Sequence, residues 1–183
     1  YDTGIRYVDD QIRYIVDQLK AAGVYDDTAI IISADHGENL GELAIYGEHG
    51  TADVATCRIP MIVKWPGGRR GVVDDGLHYS IDLAPTLMDL LGGRHQPLWD
   101  GQSYAPIITG RGQAVPREDI VISQCAHVCQ RSVRWGRWLY MRTYHDGFHL
   151  FPQEMLFDLL TDPHEQTNIA EQYREICCEG AWR

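Results

Sequence analysis

An apolar run, Ala29-Ile30-Ile31-Ile32, leads within a few residues into Asp35-His36-Gly37-Glu38, and His49 follows thirteen residues after His36. Four aliphatic or small residues bounded by Asp26-Asp27 and Gly37 read as a short strand buried on both faces, the pattern of parallel strands in α/β proteins. In such sheets ligands bind beyond the carboxyl ends of the strands, where Asp35 and His36 fall. A carboxylate beside an imidazole makes half of a metal site. Carboxylate oxygen suits calcium or magnesium, while imidazole nitrogen better suits zinc, manganese or iron, so the pair alone leaves the ion open. Taken as a bare dipeptide it also fits an Asx turn with an exposed imidazole.

Periodicity organises the rest. Ile5, Val8, Ile12, Ile15, Val16 and Leu19 recur at three and four residues, which predicts an amphipathic helix ending near Gly23, with Asp9 and Asp10 as solvated charges. A strand over 28–33, a loop to about Cys57 and a second strand over 60–64 follow. Asp82 is placed to cap a helix through Leu91, with Pro85 in its first turn and Gly92-Gly93 closing it, and Ser103 to cap a shorter one through Thr109. After Pro116 the character changes to short β-rich runs at 120–123, 131–135, 138–143 and 155–159. These predict a small antiparallel sheet with a final helix over 163–178 packed on it, and Arg131, Arg134, Arg137 and Arg142 on the sheet either contact a substrate group or, by default, solvate its outer face.

Several segments occur in a recognisable order: Thr28 to Glu38 (TAIIISADHGE), His49-Gly50-Thr51, Arg58-Ile59-Pro60-Met61-Ile62-Val63 with Trp65-Pro66-Gly67, Ser80-Ile81-Asp82-Leu83-Ala84-Pro85-Thr86-Leu87 and Asp100-Gly101-Gln102-Ser103. Leu156-Phe157-Asp158-Leu159, Asp162-Pro163-His164-Glu165 and Asn168-Ile169-Ala170 complete the series. Together they resemble the C-terminal half of a sulfatase of the alkaline phosphatase superfamily, and cover nearly the whole chain. The resemblance implies an α/β fold: part of an alkaline-phosphatase-like sheet flanked by helices over residues 1–115, and over 116–183 a small C-terminal antiparallel sheet with a packed helix.

It also implies a reaction, hydrolysis of a sulfate ester by a hydroxyl nucleophile, normally a formylglycine hydrate made from Cys or Ser and bound to a divalent cation. Calcium is the expected ion, with magnesium and manganese as alternatives. Carried over by position, Asp35 and His36 fall on the metal ligands. His49 falls on the loop position that contacts the sulfate or the leaving oxygen, where imidazole could donate a proton to the departing alcohol. Arg58 is a candidate for holding the anionic substrate, with Arg69 and Arg70 as weaker candidates.

The nucleophile motif of the family, Cys or Ser before x-Pro-x-Arg, is not found. Cys57-Arg58-Ile59-Pro60 has the residue types in the wrong order, and Cys125, Cys129, Cys177 and Cys178 have no Pro two residues later. The motif and the first metal aspartates belong to the family's N-terminal half, so the expectation is a fragment that is hydrolytically inactive alone. A cut sheet edge would favour self-association or docking of an N-terminal complement. The expected substrate is a sulfate ester, such as a sulfated sugar. Rival expectations are a phosphonate or phosphate diester hydrolase, a phosphoethanolamine transferase, or a non-catalytic binding or assembly module.

Composition fits a globular chain, with 44% apolar and 23% charged residues. A net charge of -10 argues against a nucleic-acid partner, and no apolar run is long enough to span a membrane. The compartment stays open among periplasmic, secreted and cytoplasmic. Five cysteines at irregular spacing make no disulfide framework. Cys125, His127 and Cys129 would share one face of a continuous strand with the outer two about 13 Å apart, too far for a common zinc. Cys177-Cys178 reads as the buried edge of a terminal helix or a reactive tail. Gly67-Gly68-Arg69-Arg70 lacks the Lys-Ser/Thr of a phosphate loop, and no Gly-x-Ser-x-Gly elbow is present.

Overall fold

A computed structural model describes residues 1–183. Helix α1, Asp2–Ala21, forms where the three-four periodicity predicts it and closes before Gly23, whose φ of 72° takes the left-handed turn. Its apolar stripe is only partly covered: Ile12, Val16 and Leu19 are half-buried, while Ile5, Val8 and Ile15 are exposed. Asp9 and Asp10 pair with Arg13 and Arg6 on the solvent side.

Strand β1 spans Ile30–Ser33, and after the short β2 (Asn39–Leu40), β3 (Tyr46–Glu48) and α2 (Val54–Cys57) the chain returns as β4, Met61–Lys64. β1 and β4 pair antiparallel, in register from Ile30 opposite Lys64 to Ser33 opposite Met61. The expected parallel strand buried on both faces is therefore corrected. In this chain β1 has a single, antiparallel partner, and its isoleucines are only half-buried. Lys64 ties the pair to the preceding turn by donating to the carbonyls of Tyr25, Asp26 and Thr28 at 2.6, 3.2 and 2.8 Å.

Helix α3, Leu83–Leu90, and α4, Ala105–Thr109, follow. Asp82 precedes α3 as expected but does not cap it. Its carboxylate accepts the N–H groups of Tyr79 (2.8 Å) and Gln102 (2.7 Å) and both guanidinium arms of Arg117, at 2.6 and 2.8 Å. The Ser103 hydroxyl accepts from the Ala105 N–H at the start of α4.

The main core sits in the second half. Strands β5 (Asp119–Cys125), β6 (Cys129–Trp135), β7 (Trp138–His145) and β8 (Glu154–Asp158) form an antiparallel meander, and α5, Arg174–Trp182, packs on it. Alternation along β7 and β8 sends side chains to both faces. Tyr140 and Leu156 join Val133, Trp135, Ala170 and Cys177 on the α5 side. Leu139, Met141, Met155 and Phe157 pack on the other side against Ala52, which belongs to the loop after His49. Helix and sheet approach so closely at Gly180 that a Cβ there would stand 2.6 Å from that of Tyr140.

Two further expectations change. The final helix begins at Arg174 rather than 163, because polar side chains take the N–H groups that an earlier helix would need. Asp162 accepts from Gln166 N and Thr167 N, and Asn168 from Leu156 N and Ala170 N. Cys125 and Cys129 do not lie along one strand: the chain turns between them, and they face each other across β5 and β6.

Candidate metal-binding site

Asp35 and His36 leave the end of β1 on an irregular turn. The Oδ1 of Asp35 accepts the His36 N–H at 3.0 Å, and its side chain is 88% exposed, so Oδ2 faces solvent. That backbone hydrogen bond, chiefly, holds the Asp35 carboxyl below the usual carboxylate range. The Nδ1 of His36 lies 2.8 Å from the Gly37 carbonyl. A carbonyl only accepts, so Nδ1 donates to it, and the neutral form of the ring has its lone pair on Nε2. Nε2 stands 3.7 Å from Asp35 Oδ2. Ligand atoms each about 2.1–2.5 Å from an ion can be that far apart on one coordination sphere. The pair therefore fits a divalent cation, with the backbone bond on the second ring nitrogen supplying the orientation that metal-binding histidines need.

Two other Asp–His pairs are built differently. His78 Nε2 lies 2.6 Å from Asp74 and His95 Nε2 lies 2.7 Å from Asp89, so in each the ring nitrogen is already taken by the carboxylate. No group of three or more His, Cys, Asp or Glu side chains converges on a common point. Asp35 and His36 offer two ligands, and a full coordination sphere needs donors from outside this set.

His49 comes to the same place. Its ring stacks on that of His36 with centroids 3.8 Å apart and planes 20° from parallel, and its Nδ1 lies 3.5 Å from Glu38 Oε1. Glu38 Oε1 is buried and makes no hydrogen bond. Arg58 follows two residues after Thr56, whose carbonyl takes the Gly37 N–H. It is exposed at the C-terminal end of α2 with no ion pair, and its charge bears instead on Arg134, whose burial and this neighbour lower the guanidinium's proton affinity. Arg70 pairs loosely with Asp26 at 3.8 Å, away from the histidines.

The two loops are bolted together beneath the histidines by side chains that sequence reasoning missed. Asn39 is fully buried and donates through Nδ2 to the hydroxyls of Thr51 (2.8 Å) and Thr56 (3.0 Å). Gly37 N donates to Thr56 O at 2.7 Å, an approach so close that a Cβ on Gly37 would lie 1.9 Å from the Ala55 oxygen. Asp53, also fully buried, caps α2 by accepting from Thr56 N. Only this last had a local signal, an Asp placed before a short helix.

The C-terminal sheet then grips the loop from the far side. Gln130 Oε1 accepts the Ala52 N–H at 3.1 Å, Ser132 Oγ donates to the Ala52 carbonyl, and Glu165 Oε1 accepts the Val54 N–H at 2.9 Å. Glu165 adopts φ 53° and is buried. Burial, reinforced by the nearby Asp53 charge, pushes its carboxyl up to about 8.

Known proteins resemble this chain over most of its length. The family model described as Sulfatase matches residues 1–93, half of the chain and the whole of the histidine site. The chain belongs to the sulfatase family. A choline-sulfatase of Rhizobium meliloti (strain 1021) is 30% identical over 181 residues, covering 95% of this chain and 33% of that protein. A putative sulfatase from Bacteroides thetaiotaomicron superposes with a TM-score of 0.79 at 27% identity, over 94% of this chain and 38% of that one. A phosphonate monoester hydrolase from Silicibacter pomeroyi superposes with a TM-score of 0.77 at 27% identity, over 94% and 37%. The fold is that of the sulfatases and the alkaline phosphatase superfamily, and the chain spans about a third of the length of the curated relatives that it matches. No helix of this sulfatase chain is long and apolar enough to cross a membrane.

Proposed function

We propose that this chain supplies the second pair of metal ligands and the histidine loop of a sulfate-ester hydrolase active site. The observation that carries it is the convergence of Asp35 Oδ2 and His36 Nε2 at 3.7 Å with the second ring nitrogen already committed to backbone. A bound divalent cation, calcium by preference for the carboxylate-rich site of the family, would neutralise charge on the sulfuryl oxygens and lower the pKa of the attacking hydroxyl. Asp35 and His36 would hold that ion. His49, stacked on His36, would contact the sulfate and supply a proton to the departing oxygen. The remaining ligands and the nucleophile come from a part of the active site not carried by these residues, with residues 1–115 as catalytic-domain structure and 116–183 as the subdomain that holds the His49 loop.

The rival within the superfamily is phosphonate or phosphate ester hydrolysis, favoured by the likeness to the phosphonate monoester hydrolase. Turnover of an aryl sulfate and of an aryl phosphonate by the full-length protein, with and without added calcium, separates the two. Sulfate hydrolysis should dominate, Asp35→Ala and His36→Ala should each lower it by on the order of 10²–10³, and His49→Ala by about 10². Phosphonate turnover exceeding sulfate turnover would overturn the substrate assignment. The 183-residue chain alone should show no turnover, and metal-dependent hydrolysis by it that disappears in Asp35→Ala would show that its site is complete.

A further inference from the structure

Cys125 ends β5 and Cys129 begins β6, and the two stand directly opposite each other, closing the hairpin whose tip is 126–128. Their sulfurs are 3.0 Å apart. A disulfide has an S–S bond near 2.03–2.05 Å and Cβ atoms about 3.5–4.5 Å apart, against about 4.5–5.5 Å for residues facing across an antiparallel pair. A movement of ~1 Å in the side chains closes the gap without a change of register. Cys125 is exposed and Cys129 half-buried, so a small oxidant can reach the pair.

We propose that Cys125 and Cys129 form a reversible dithiol–disulfide site for low-molecular-weight disulfides such as oxidised glutathione. One thiolate attacks the small disulfide, forming a mixed disulfide and expelling one thiol. The second cysteine then attacks the protein-bound sulfur, forming the Cys125–Cys129 bond and expelling the second thiol. The two protein thiols are oxidised by two electrons, the small disulfide is reduced to two thiols, and the two protein protons end on them.

The other thiols are poor competitors. Cys57 is half-buried beside the Thr51 carbonyl, and burial with the Asp53 charge pushes its thiol up to about 12. Cys177 is buried against Ala170. Cys178 is exposed but has no thiol facing it. The hairpin also touches the candidate site. A Cβ at Gly50 would sit 3.7 Å from His127, so the tip packs on the residue after His49, and Gln130, which holds Ala52, directly follows Cys129. Oxidation therefore locks the end of the hairpin that supports the His49 loop.

The test is equilibration of the 183-residue chain in mixtures of reduced and oxidised glutathione, acid quench, alkylation under denaturing conditions and peptide mapping by mass. Cleavage after Arg117 and Arg131 puts both cysteines in one peptide. Oxidation should leave three of the five cysteines alkylated and make that peptide lighter by two hydrogens, with no glutathione attached. Cys125→Ser and Cys129→Ser should each abolish this product. The oxidised fraction at a fixed glutathione ratio should fall at least ~10-fold in concentrated urea, because the hairpin brings the thiols together. Five alkylated cysteines at every ratio, glutathione held separately on each cysteine, a cross-link to Cys57 or Cys178, or an unchanged yield in urea would each overturn the proposal. It stands or falls independently of the sulfatase activity, since no turnover is measured.

Discussion

Arg117→Ala should lower the unfolding free energy at pH 7 by about 3–5 kcal/mol, the usual cost of leaving a buried charge without its partner. Asp82 is completely buried and accepts both arms of Arg117, which also lies over the Tyr79 ring. Tyr79 in turn accepts the Val121 N–H of β5, so one network joins the turn before α3 to the C-terminal sheet. Folded proteins are stable by only about 5–15 kcal/mol, so the loss takes a large share of it.

Its pH dependence distinguishes a lost ion pair from lost packing. Burial alone would raise the Asp82 carboxyl, but the Arg117 fork and the N–H groups of Gln102 and Tyr79 outweigh it and hold the pKa below the unfolded value of 3.8. In the wild type this stabilisation is therefore present above pH 3.8 and is lost as the pH falls through the lower, folded pKa. Without Arg117, burial dominates and the carboxyl is easier to protonate when folded. The penalty of the variant should then shrink as the pH drops toward 4, as followed by urea unfolding at pH 7 and pH 4. An equal penalty at both values would mean that packing, not charge, is what Arg117 contributes.

Glu165 should behave in the opposite sense. Its folded pKa of about 8 lies above the unfolded value of 4.5, so its contribution is fully present below pH 4.5 and is lost as the pH rises through about 8. Glu165→Gln keeps an acceptor for the Val54 N–H and removes the titration. A gap of one between folded and unfolded pKa corresponds to about 1.4 kcal/mol, and relaxation of the site removes part of it. The variant should therefore flatten this fall and gain roughly 2–4 kcal/mol at pH 8.5 relative to the wild type. Thermal unfolding between pH 5 and 8.5 reads the effect, and parallel profiles for wild type and variant would contradict it. Glu165→Ala should be destabilised across the whole range, because Val54 N then has no acceptor.

The elements that rest on local pattern were legible in the sequence. The α1 stripe, the β1 and β4 runs and the four strands of the meander lie within a few residues of their expected places, because periodicity and turn residues determine them locally. That His49 lies beside His36 was also legible, since Asp35 and His36 stand at a strand end and His49 in the loop that follows, and the structure stacks the two imidazoles. What escaped was long-range. Asn39, Gln130 and Glu165 matter through partners up to 111 residues away, and nothing in their own surroundings announces a buried polar contact. The strand direction of β1 and the late start of α5 failed for a related reason. An apolar run does not state its partner, and the Asp162 and Asn168 side chains outcompete the helix for backbone N–H groups. Arg58, chosen by charge and position, stands exposed just past the end of α2 without an ion pair.

The central claim, that Asp35 and His36 form a metal-ligand pair, is most directly tested by adding substoichiometric manganese(II) to the isotope-labelled 183-residue chain and following paramagnetic broadening of its amide signals. Manganese accepts the same mixed oxygen and nitrogen donors, and broadening reports position even when binding is weak. The signals of residues 35–37 and 49–50 should disappear first, and should persist in an Asp35→Ala, His36→Ala double variant. Broadening centred instead on the Asp74–His78 or Asp89–His95 pairs, or unchanged by the double variant, would contradict the assignment.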